Sequence, residues 1–158
     1  MHRNRTLAMA AVLLIFSAAL IQAAPPFKQP LKQQLKRDAR HVIRRTAVAL
    51  KAAQKAARQG HRYANLGRAI AHQRYSRRLY ARGFYLEAIH HSLHARTLAV
   101  QVIKANRQAL VSEAYLDWLE RRYSGRSPRG ADLELQLPPG EIEDDKLSVE
   151  IEIELDLD

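Results

Sequence analysis

The stretch Leu31–Gly60, LKQQLKRDARHVIRRTAVALKAAQKAARQG, decides the fold class. Leu35, Ala39, Val42, Thr46, Ala49, Ala53 and Ala57 recur in steps of three and four, which places them on one face of a helix. Lys32, Lys36, Arg40, Arg44, Lys51, Lys55 and Arg58 fall on the opposite face. Pro30 suits a first helical turn, because its missing N–H has no intrahelical partner there. Gly60 reads as a left-handed stop. A long amphipathic helix with a basic outer face therefore opens the folded part of the chain.

Downstream, a second helix is expected from near Asn65, a capping residue, to Arg82. Its apolar positions (Leu66, Ala69, Ile70, Tyr75, Leu79, Tyr80) are thinner, and Gly83 ends it in a left-handed turn. A third begins at Phe84 and carries Tyr85, Ala88, Ile89, Leu93, Ala95, Ala99, Val102 and Ile103 over a wide apolar arc. So wide an arc needs more than one neighbour, either helices one and two together or a homodimer interface. A last helical segment is expected from about Gln108 to Tyr123. The fold class is thus mainly α, an antiparallel hairpin or bundle of three to four helices.

After Gly125–Gly130 (GRSPRG), a linker by composition, the period changes. Leu133, Leu135 and Leu137 alternate with polar residues. Leu147, Val149, Ile151, Ile153, Leu155 and Leu157 then alternate with serine or acids. Period two over eleven residues predicts an acidic C-terminal tail of β-strand character, a strand or hairpin spanning part of 131–158. Upstream, His2, Arg3 and Arg5 precede an uncharged apolar run, Leu7 to Ile21, followed by Gln22-Ala23-Ala24 and two prolines. These are the parts of a secretory signal, expected as residues 1–23 with cleavage after Ala23. The run is shorter than the ~20 residues of a spanning helix, which disfavours an uncleaved anchor. The expected organisation is a signal, a basic α-helical domain (24–124), a linker (125–130) and the tail. The compartment is periplasmic or secreted.

Charge is divided sharply along the chain. The formal net charge of +10 combines a body from Ala24 to Gly130 with 23 Lys and Arg against five acids, and a tail with 11 acids against Lys146 alone. A net +18 body beside a net −10 tail implies a tail that folds back or a body built for an anionic partner. The chain has no cysteine, which excludes disulfides, thiol catalysis and cysteine-ligated zinc.

Residues Gly83 to Ala95, GFYLEAIHHSLHA, carry a turn glycine, an aromatic two residues on, then Ala88, Ile89 and Ala95. This pattern resembles the second half of a tetratricopeptide hairpin, and Ser76 and Leu79 stand at the corresponding places upstream. Leu79 replaces an aromatic, and Ile103–Asn106 stands where the repeat has proline. The resemblance covers one unit, about residues 69–102. It implies a close-packed helical hairpin, with peptide binding as the function that full arrays perform.

Two groups of side chains are candidate sites. Arg74, Arg78 and Arg82 are successive i+4 neighbours with Arg77 alongside, and no acid lies between Gly60 and Arg82. Like charges at that spacing destabilise a helix, so an anion should compensate them. Glu87, His90 and His94 on the third helix offer two imidazoles four residues apart and a carboxylate, a metal-chelating spacing that His72 approaches across the hairpin. The plainer account of these histidines is a polar stripe. No Ser-His-Asp order, phosphate loop or His-Glu-x-x-His occurs, so neither an enzyme nor a cofactor is expected. Asp117 and Glu120 are expected to pair with Arg121 and Arg122. The function expected first is a non-enzymatic helical binding or scaffold protein of the bacterial envelope, its basic body covered or regulated by its own acidic tail. A binder of anionic envelope material (phosphorylated lipid, polysaccharide or extracellular nucleic acid) is the alternative, and a histidine-based metal binder a third. No specific nucleic-acid reader motif is present.

Overall fold

A computed structural model describes residues 31–157. The expected export signal lies outside the described residues. Five helices follow in order: α1 (Leu31–Gly60), α2 (Leu66–Ala81), α3 (Tyr85–Ala105), α4 (Trp118–Ser124) and α5 (Gly130–Glu134), with 3-10 turns at Ser112–Ala114 and Leu147–Glu150. None of the described helices is long and apolar enough to cross a membrane. α3 packs extensively on both α1 and α2, which meet each other less, so its wide apolar arc is covered from two sides.

The joints follow local chemistry. Gly83 adopts φ 85°, the left-handed turn between α2 and α3. At the end of α1 the left-handed residue is His61 rather than Gly60. Gly60 is needed for another reason: a Cβ there would run into the side chain of Asn106. That side chain accepts from the Arg62 amide (3.0 Å) and donates to the Arg62 carbonyl (2.7 Å), tying the α1–α2 loop to the end of α3. The expected fourth helix is shorter, because Asp117 starts α4 with a capping box, accepting from the Glu120 amide while Glu120 reaches back to the Asp117 amide.

The core consists of two apolar clusters. One joins Leu50, Ala53, Leu66, Ile70, Leu98 and Val102, and the other Val42, Ile43, Leu79, Tyr80, Ile89 and Leu93. Between them runs a buried polar layer. Thr46 Oγ1 donates to the Ser92 carbonyl, Gln73 Nε2 to the Ile43 carbonyl, Ser92 Oγ to Gln73 Oε1, and Arg96 to Thr46 and the Val42 carbonyl. These bonds link the three helices and fix how α1, α2 and α3 register.

The tail corrects the sequence reading. No strand forms among the described residues. Leu133–Leu137 does not extend: α5 takes Leu133 inward and leaves Leu135 in solvent. A strand needs a ladder partner, and the segment best placed to supply one has become a helix. The residues from 151 run on without strand pairing, and the apolar side chains at 149, 151, 153 and 157 join the helical core instead, while Leu147 and Leu155 stay exposed. Val149 and Ile153 enter the first cluster and Leu157 the second, all nearly fully buried. Burial of such side chains stabilises by about 1.5–3 kcal/mol each.

Candidate functional site

The tail makes a U-turn around the start of α2. One arm descends past the arginine face, with Arg78 paired to Glu141 (2.8 Å) and Arg74 to Glu143 (2.5 Å). At the bend, Asp145 accepts from the amides of Asn65 (3.1 Å) and Gly67 (2.7 Å). These amides belong to a helix start, where N–H groups lack intrahelical partners and a negative charge meets the positive end of the helix dipole. Asn65, expected as the cap, has φ 74° and makes no side-chain capping bond; a residue 80 positions away caps α2 in its place. Gly67 is what admits the arm, since a Cβ there would collide with the Glu143 carbonyl oxygen. Asp144 shapes the bend by accepting from the amides of Lys146 and Leu147.

The second arm returns along the seam between α1 and α2. Its carbonyls accept from side chains of the body where a sheet would supply backbone amides. Gln54 Nε2 donates to the carbonyls of Ser148 (3.0 Å) and Ile151 (2.7 Å), and Arg58 to Val149 (2.8 Å). Arg77 donates to Glu154 and Asp156 carbonyls, and Arg40 to Leu157 (2.8 Å). Arg77 also pairs with the Glu154 carboxylate. Between this arm and α2 lies a cleft of about 290 Å³ lined by Ile70, Arg74, Arg77, Arg78, Glu152 and Ile153. Three of the four arginines singled out by sequence thus face tail acids. Arg82 makes no ion pair among the described residues, and its guanidinium sits 5.4 Å from the Phe84 ring centre.

The histidines are arranged differently from the sequence expectation. His94 turns towards α5, where its Nε2 lies 3.0 Å from Glu134 Oε1, and His72 Nε2 lies 3.2 Å from the same oxygen. His90 instead borders a separate cleft with Leu86, Arg122, Tyr123 and Arg126, and Glu87 is exposed. Glu87 and His90 belong to neither of the two sets of three donors that converge within 4.8 Å among the described residues, His72/His94/Glu134 and His41/Asp117/Glu120. Burial and the nearby His94 hold His72 down to about 4, so its ring is neutral at pH 7. Glu134 is half-sheltered, which by itself raises its pKa, yet hydrogen bonds from Arg68 and His94 and the neighbouring His72 bring it down to about 2. Gly130 allows α5 this close, because a Cβ there would meet the His94 ring at 2.6 Å.

Asp117 and Glu120 do not pair with Arg121 and Arg122. Glu120 is fully buried and meets Arg96 (2.6 Å) and Arg45 (3.2 Å), while Asp117 meets His41 (2.6 Å) and Arg45 (3.5 Å). This cluster ties α4 to α1 and α3. No family model matches the chain, and no curated protein or solved structure is significantly similar to it.

Proposed function

We propose that this chain is an exported, non-enzymatic helical binding protein of the bacterial envelope, whose basic seam between α1 and α2 takes an extended acidic–apolar segment and is covered by its own tail. The observation that carries this reading is the set of tail carbonyls served by Gln54, Arg58, Arg77 and Arg40. Side chains that recognise main-chain carbonyls read an extended backbone, and the pockets for alternate apolar residues add selectivity, as in other modes of extended-peptide recognition. The tetratricopeptide-like hairpin of α2 and α3 suits such a role, with the tail standing where a partner segment would lie.

A second reading has support of its own. Arg74, Arg77 and Arg78 border a cleft, and Arg82 extends the row without an acid partner among the described residues. An anionic envelope polymer or headgroup would compete for the same guanidinium groups.

The test is a fluorescent peptide of residues 141–157 added to protein ending at Gly140, beside the full-length chain and an Ile153→Asp variant that keeps the whole sequence. The truncated protein and the variant are expected to bind the peptide while the full-length chain does not. Equal, weak binding by all three contradicts the seam as a peptide site. Heparin binding that rises on truncation, without peptide binding, favours the anionic ligand.

A further inference from the structure

Both clusters of metal-type donors already hold fixed positive charge: Arg45 and Arg96 around Asp117 and Glu120, next to His41, and Arg68 at 2.6 Å from Glu134 Oε1. They differ in their histidines. His91 Nε2 lies 3.1 Å from Gln136 Oε1, and in the tautomer that donates to this oxygen it carries the His91 proton. His91 Nδ1 is then an acceptor, and its 2.9 Å contact with His72 Nδ1 places the His72 proton on Nδ1. The relay leaves His72 Nε2 with a bare lone pair beside the Glu134 carboxylate, pointing off the line to its oxygen. Two electron-rich atoms stand 3.2 Å apart, and His72 Nε2, wholly buried, has no hydrogen-bond partner. A buried polar atom left unpaired costs about 1–3 kcal/mol.

We propose that His72 Nε2, His94 Nε2 and Glu134 Oε1 form a binding site for one divalent transition-metal ion of the zinc class, with water at a fourth position. A cation between these atoms turns the lone-pair opposition into coordination. The spacing agrees: a tetrahedral ion with bonds of ~2.0–2.1 Å holds its ligands ~3.3 Å apart, and the two nitrogens stand 3.2 Å and 3.0 Å from Glu134 Oε1. The surroundings supply what such a site requires outside its ligands. His72 donates its other ring proton to His91, which is held by Gln136, and Arg68 Nη2 stands 2.6 Å from Glu134 Oε1 itself, so this oxygen would serve the guanidinium and the ion together. Metal binding exchanges the His94 Nε2 proton for the ion and moves that proton to Nδ1 or to solvent. A cleft of about 340 Å³ beside His94, between Thr97, Pro128 and Leu133, gives access. Two ligands come from the hairpin and the third from α5, so the ion would fasten the start of the acidic tail to α2 and α3.

The experiment is titration of zinc chloride into tag-free full-length protein by calorimetry, with cobalt(II) absorption spectroscopy on the same material. One zinc per chain is expected at micromolar dissociation constant or tighter, and cobalt is expected to give the intense visible bands of a four-coordinate ion. Glu134→Gln and His94→Gln are each expected to weaken zinc by on the order of 100-fold or more, with His90→Ala unchanged. Circular dichroism of the variants establishes that they fold, and the wild-type cobalt spectrum decides the coordination without any variant. Zinc binding no tighter than about millimolar, a weak six-coordinate cobalt spectrum, or equal losses in His90→Ala and Glu134→Gln would overturn the site.

Discussion

The helical body and the acidic tail solve the same problem in opposite ways. Each must satisfy its backbone polar groups while burying an apolar face. In α1, α2 and α3 the backbone pairs with itself, and the side chains are left to pack: Ala39, Ala47, Ala53, Ala88, Ala95 and Ala99 are all fully buried and let the helices approach closely. The second arm of the tail has no ladder and no helix beyond Glu150. Its carbonyls depend on Gln54, Arg58, Arg77 and Arg40, and its apolar side chains on clusters that the body already owns. The body is therefore expected to hold its structure by itself, whereas the tail is ordered only by what lies under it.

The largest effect should come from the body. Glu120 and Arg96 are both buried, and removing one partner leaves an uncompensated charge. Glu120→Ala is expected to lower unfolding stability by about 3–5 kcal/mol, measured by urea denaturation, and to weaken body and tail together. If only the tail is released, α4 is not part of the body. A tail substitution should act locally. Ile153→Ala removes a nearly buried side chain, a change that costs about 2–5 kcal/mol in a rigid core. Here the loss is limited by the free energy of docking, so trypsin should cut within 141–157 faster while the urea midpoint of the helices falls much less. An equal fall by both probes would erase the distinction between the two regions.

Much of this division can be read in the sequence, and the exceptions have physical causes. The three-and-four spacing from Leu35 to Ala57 locates α1, and Gly83 locates the turn into α3, because helix period and left-handed glycine are local signals. The alternation from Leu147 to Leu157 marks the inward residues only in part: Val149, Ile153 and Leu157 are buried, whereas Leu147 and Leu155 are exposed, because without a sheet period two does not fix which side faces the body. Whether the hydrogen-bond partners are amides of a sheet or guanidinium groups of helices depends on residues some 70–120 positions away. Separations of 40 and 45 positions hide the histidine cluster in the same way. His72 and His94 sit on neighbouring helices, but Glu134 and Gln136 come from beyond the linker, and nothing near Glu134 in sequence singles it out. Glu87 and His90 have the right spacing on α3 yet face elsewhere. The arginines Arg74, Arg77 and Arg78, with no acid near them in sequence, are the legible part of the tail-facing surface.

A smaller effect distinguishes the body at high pH. Burial and then the Asp38 carboxylate, 2.6 Å from its hydroxyl, push Tyr123 up to about 12. The folded state holds this proton more tightly than the unfolded chain does, so stability is full below pH 10 and falls as pH rises from 10 to 12. Allowing for partial exposure, the fall is of order 1 kcal/mol. Thermal melts from pH 9 to 12 should show it in the wild type and not in Tyr123→Phe.

The most direct test of tail docking reads the body, because no amide from Ile151 to Leu157 donates a hydrogen bond among the described residues. The Gly67 amide stands in the first turn of α2 and has only Asp145 as its acceptor. Asp145→Ala removes a helix cap, a change of about 0.5–2 kcal/mol. Residue-resolved hydrogen exchange is expected to show Gly67 protected in the wild type and independent of protein concentration. In Asp145→Ala, Gly67 should exchange freely while Ile70 and Leu79 remain slow. Free exchange of Gly67 in the wild type, or undiminished protection in Asp145→Ala, would contradict a tail that caps and covers the helical body.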